Sequence, residues 1–102
     1  MSLDELENLI EEQIENLKPE IKNRFIYQTT DEESGSYAET LFTQPPLIKF
    51  YLKNILKMTD NPIITSIREL LTHEIIHTIQ PVFQEYKEGE AVEKFQKLNF
   101  FK

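Results

Sequence analysis

The chain has no cysteine. That excludes a disulfide framework and a thiolate zinc cluster, and it leaves histidine and carboxylate as the side chains able to hold a metal. Histidine is nearly as scarce: there are two, His73 and His77, four residues apart. No apolar run approaches the roughly 20 residues that a membrane-spanning helix requires, so no membrane partner is expected. Residues 1–20 are acidic and lack both a basic start and a continuous apolar stretch, so no signal peptide is expected and the expected location is cytoplasmic. Basic residues are in the minority too, with 11 Lys and Arg against 18 Asp and Glu and a formal net charge of -7. No basic stripe offsets that balance, which argues against nucleic acid as a partner, because duplex affinity comes from cations neutralising phosphates. The acidity suits a cation or a basic peptide, although a solvated acidic face is its commoner use.

What is present fits a single α+β domain over residues 1–102, long enough for one core and too short for two. Ser2 and Glu5 have capping-box spacing, and Leu3, Leu6, Ile10, Ile14 and Leu17 then recur every three or four residues as far as Pro19. This predicts an amphipathic N-terminal helix with a glutamate-rich outer face. The period then changes. Phe25, Ile26 and Tyr27, residues 36–43 and residues 47–52 are β-prone, with a turn over 31–35 and Pro45-Pro46 between the last two runs. Three short strands are the simplest account. Proline cannot donate to a ladder, so Pro45-Pro46 belongs at a strand end and residues 36–43 are expected to be an exposed edge strand. Asp60 or Asn61 as cap and Pro62 in the first turn predict a helix start, with the helix running to Gln80 before Pro81. Its apolar arc comprises Ile63, Ile64, Ile67, Leu70, Leu71 and Ile75, with His73 and His77 at the border. A last helix is expected over about 88–97, then an apolar tail containing Leu98, Phe100 and Phe101.

The segment that carries chemistry is His73-Glu74-Ile75-Ile76-His77. Histidines at i and i+4 project from one helical face, one turn apart, so both imidazoles can reach one zinc ion at about 2.0–2.1 Å. A glutamate directly after the first histidine is turned away from ligation. It can still bond a coordinated water, accept its proton and pass it to a leaving amine, which makes Glu74 the candidate general base. Two surface histidines could share this spacing by accident, at odds of roughly one in several hundred for so few histidines. A third protein ligand must be a carboxylate, since no histidine remains, and Glu85, Glu88, Glu90 and Glu93 all lie downstream. Glu88 is the preferred one, because Gly89 and Ala91 beside it let the backbone approach the metal helix closely; Glu85 is second. Three protein ligands leave a fourth position for water, the arrangement of a catalytic zinc. Tyr86 and Tyr37 are possible oxyanion donors, with neither assigned.

His73-Glu74-Ile75-Ile76-His77 followed by Glu88-Gly89-Glu90-Ala91 resembles the gluzincin metallopeptidases, whose third zinc ligand is a glutamate on a downstream helix. The order of leading helix, three short strands, metal helix and glutamate helix within about 100 residues looks like the minigluzincins, minimal soluble relatives of the catalytic domains of integral membrane metallopeptidases. The resemblance implies a zincin-like minimal scaffold and a zinc-dependent endopeptidase acting on a peptide or protein substrate, held in extended form along the edge strand over 36–43. Membrane relatives often have Asp after the Ala of their glutamate motif; here that position is Val92, which leaves Glu93 to supply any supporting carboxylate. The resemblance also implies latency through a C-terminal segment. Phe95, Leu98, Phe100 and Phe101 could plug the cleft, cross to a second subunit as a homo-oligomer contact, or pack on their own core. Two other classes of function compete with the peptidase. One is a noncatalytic zinc-binding interaction module on the same scaffold, and the other is an acidic α+β adaptor in which the motif is accidental.

Overall fold

A computed structural model of the chain describes residues 1–58, 64–79 and 99–102. The N-terminal helix is α1, Leu3–Glu15. Ser2 caps it, with its Oγ accepting from the Glu5 N–H at 3.1 Å, and Asp4 and Glu5 lie in the first turn, where the helix dipole favours negative charge. The predicted stripe is the buried one: Leu6, Ile10 and Ile14 are in the core, followed by Leu17. Pro19 does not end α1, which has already closed at Asn16; it opens a separate short helix, α2, Pro19–Lys22. Proline is well suited to that first-turn position, since its missing N–H would have had no partner there.

Three strands follow: β1 (Ile26–Thr30), β2 (Ala38–Leu41) and β3 (Leu47–Tyr51). Their order in the sheet is β1-β3-β2, with β1 parallel and β2 antiparallel to β3. The central strand β3 carries buried Ile48, Phe50 and Tyr51, which its sequence of alternating and aromatic residues favours. β2 is an edge strand, as expected, although its ladder is confined to four residues of the predicted 36–43. Pro45-Pro46 lies in the turn before β3, where the Pro46 carbonyl accepts from the Ile26 N–H at 2.9 Å. Ala38 pairs with Phe50 and Thr40 with Ile48, so Ala38 and Thr40 share the sheet face of those two core residues.

Helix α3, Leu52–Met58, begins directly after β3 and was not foreseen. Seven residues give too short a window for helical period to stand out against the preceding strand, yet Leu52 and Ile55, three apart, are both buried. Helix α4, Ile64–Ile79, packs on α1 and on β2. It buries Ile67, Leu71, Ile75 and Ile76, while Ile64, expected on the apolar arc, is half exposed. The expected cap at 59–62, the glutamate helix over 88–97, Phe95 and Leu98 lie outside the described residues.

Phe100 and Phe101 are in the same core cluster as α1 and α4. The Lys18 N–H donates to the Phe100 carbonyl at 2.9 Å and the Lys102 N–H to the Asn16 carbonyl at 2.8 Å, around a bridge between Leu17 and Phe101. For these two aromatics, packing on their own core is the observed arrangement. Among the described residues no helix is long and apolar enough to cross a membrane.

Candidate metal centre

Helical geometry places His73 and His77 one above the other on α4, both half-buried. Their Nε2 atoms are 3.2 Å apart, and the rings meet edge to face with centroids 4.8 Å apart. Two zinc–nitrogen bonds of about 2.0–2.1 Å meeting near the tetrahedral angle would hold their nitrogens about 3.3 Å apart, so the pair fits a shared ion. The same separation permits a hydrogen bond between the rings, which requires one to carry its proton on Nε2 and the other on Nδ1. One ligand atom from each of His73, Glu74 and His77 lies within 4.8 Å of the others, so the group is able to hold a metal ion.

Glu74 sits on the inner side of the pair and is 5% exposed. A carboxylate so placed needs a donor, because an unpaired buried charge is strongly disfavoured. Thr40 on β2 supplies it: its Oγ1 donates to Glu74 Oε2 at 2.6 Å and lies 3.3 Å from the Glu74 carbonyl. This contact crosses 34 residues of sequence and joins α4 to the edge strand β2. Sequence reasoning missed it. The available signal was the alternation within 36–43, which puts Ala38, Thr40 and Phe42 on one face, together with the rule that a buried carboxylate must find a donor.

The group opens into a cleft of about 420 Å³, whose other lining residues include Leu70 on α4 and Tyr37, Ala38, Thr40 and Phe42 from β2 and its flanks. Tyr37 and Phe42 are 45% and 57% exposed, unusually open for aromatic side chains. The consecutive β2 residues Ala38, Glu39 and Thr40 all line this opening, so the strand borders it. The Tyr51 N–H donates to the Tyr37 carbonyl at 2.9 Å, and antiparallel pairing alternates, so residues 37, 39 and 41 bond to β3. Ala38 and Thr40 therefore direct their N–H and C=O groups to the side of β2 away from β3. Among the described residues β3 is the one strand paired with β2.

The structure thus brings together His73, Glu74 and His77, places Tyr37 in the same cleft, and adds Thr40. Glu85, Glu88, Glu90, Glu93 and Tyr86 lie outside the described residues. Comparison of the chain with family models, with curated proteins and with solved structures gives no match.

Proposed function

We propose that the chain is a zinc-dependent endopeptidase of gluzincin type, resembling the minigluzincins, with His73, His77 and Glu88 as metal ligands and Glu74 as general base. The observation that carries this reading is the 3.2 Å approach of two imidazole Nε2 atoms beside a buried glutamate, in the wall of a cleft bordered by β2, an edge strand among the described residues. Zinc, when bound, polarises a peptide carbonyl and lowers the pKa of a coordinated water. The protein's own groups supply the rest. His73 and His77 would hold the ion, and Glu74 would take the proton of the attacking water and return it to the departing amine. The outward-directed N–H and C=O groups of Ala38 and Thr40, which no strand among the described residues pairs, suit an extended peptide laid along β2, since adding a strand satisfies both sets of backbone groups.

Substitution separates binding from chemistry. Glu74→Gln should keep zinc near one equivalent per chain while lowering hydrolysis of a peptide library by at least about 100-fold, within the range for loss of a general base. His73→Ala should lose the zinc itself. A Glu74→Gln chain that cleaves as fast as wild type would sink the mechanism. Bound zinc with no cleavage by the wild-type chain would select the noncatalytic zinc-binding module instead, and metal analysis that finds no zinc would select the adaptor.

A further inference from the structure

We propose that Thr40 is a positioning residue that locks the base Glu74 to the strand edge along which substrate would lie. The inference rests on the reading of Glu74 as general base. Three features of the fold meet at this residue. Glu74 is buried, and the ion pairs among the described residues, Lys22 with Glu15 and Lys49 with Glu32, do not include it. Its carboxylate is held by the Thr40 hydroxyl at 2.6 Å, the short distance expected of an O–H donor to a charged oxygen. Thr40 also stands in the interior of β2, paired with Ile48, with its backbone N–H and C=O directed to the side of β2 away from β3.

One residue therefore faces two ways. Its backbone is fixed by the ladder to β3 and offers an N–H and a C=O to an added strand, while its side chain holds Oε2 of the base. A carboxylate has two oxygens, so engagement of Oε2 leaves Oε1 for proton transfer. A substrate strand paired at Thr40 is set in register by the same residue that fixes the base. The distance between the scissile carbonyl and Glu74 is then determined by β2 rather than by the rotamer freedom of a glutamate. Misplacement of a reacting group by about 1 Å can cost about 100-fold, and the hydroxyl contact guards against that displacement.

The test uses the full chain with two variants, the isosteric Thr40→Val, which removes the hydroxyl, and Thr40→Ser, which keeps it. Thr40→Val should bind zinc within about twofold of wild type by chelator competition and keep KM within about twofold. Its kcat should fall about 10- to 100-fold, and Thr40→Ser should recover most of that loss. A second readout needs no metal and no turnover. In metal-free protein, Thr40→Val should lower the melting temperature by at least about 5 °C, and by less than half as much in a Glu74→Ala background, because the hydroxyl then has no carboxylate to hold. Additive melting shifts would overturn the proposal, as would wild-type kcat in Thr40→Val. Failure of the underlying reading looks different: either the wild-type chain does not cleave or Glu74→Gln cleaves as fast as it does, whereas failure of this inference leaves Glu74→Gln inactive and Thr40→Val active.

Discussion

Gln13 is 2% exposed, and its side-chain carbonyl would be an orphan acceptor in the core without Arg68, whose Nε donates to Gln13 Oε1 at 2.7 Å. The same guanidinium lies 4.5 Å from the centre of the Phe101 ring, so one side chain on α4 satisfies a buried amide on α1 and caps an aromatic from the chain's last residues. Arg68→Ala should cost about 2–3 kcal/mol in urea unfolding, since it removes a charge-assisted hydrogen bond and a cation–π contact together. Arg68→Lys should recover less than half, because an ammonium lacks the flat fork that serves both partners. Neither Arg68–Gln13 nor Thr40–Glu74 can be paired from the sequence, where alternation marks at most the face that Thr40 occupies, whereas His73 and His77 can. The reason is separation. Helical spacing fixes what lies at i and i+4, so the histidine pair and its glutamate are legible; a bond across 34 or 55 residues depends on packing that local pattern does not encode.

Elements show the same division. α1 and α4 carry long apolar periods and form within the predicted stretches, although α1 closes at Asn16 rather than at Pro19, and β2 is the expected edge. α3 went unread because its seven residues follow β3 without a break, and the helical spacing of Leu52 and Ile55 merges with the strand's apolar run. The strand order was not legible at all, since three short β-prone runs do not specify that the last of them lies in the middle. A contact across β2 and β3 gives this arrangement a measurable pH dependence. The Tyr51 hydroxyl donates to Glu39 Oε2 at 2.8 Å, and that hydrogen bond, followed by burial and the Glu39 charge, raises the phenol above its ordinary value of about 10. The neutral phenol is the bonded form. Its contribution is therefore fully present below about pH 10 and is lost as pH rises through the higher folded-state value. Urea midpoints should be lower for Tyr51→Phe than for wild type near neutrality, and the gap should close in strong alkali. A constant gap across that range would show that the hydrogen bond does not couple to the edge strand's stability.

At the scale of the whole molecule, the first helix and the last residues close on each other. Leu17 and Phe101 form a bridge, backbone bonds run from Lys18 to Phe100 and from Lys102 to Asn16, and both aromatics share a core cluster with Ile67, Leu71 and Ile75 of α4. A C-terminal plug and a C-terminal core element predict opposite responses to truncation of these side chains. Removing a plug opens the cleft, so cleavage rises and stability is nearly unchanged. Removing a core aromatic leaves a cavity, at a cost of about 3–5 kcal/mol for Phe→Ala, which in a chain of this length lowers the melting temperature by at least about 10 °C. Phe101→Ala should follow the second course, with the lower melting temperature seen by differential scanning calorimetry and no gain in kcat/KM at temperatures where the variant remains folded. Phe101→Leu, which keeps most of the volume, should lose less than half as much. Leu71 and Ile75 of this cluster share α4 with the two histidines, so the variant's zinc affinity should stay close to wild type in the cold and fall as the melting transition is approached. A rise in cleavage at unchanged melting temperature would instead place these aromatics in the regulation of the cleft.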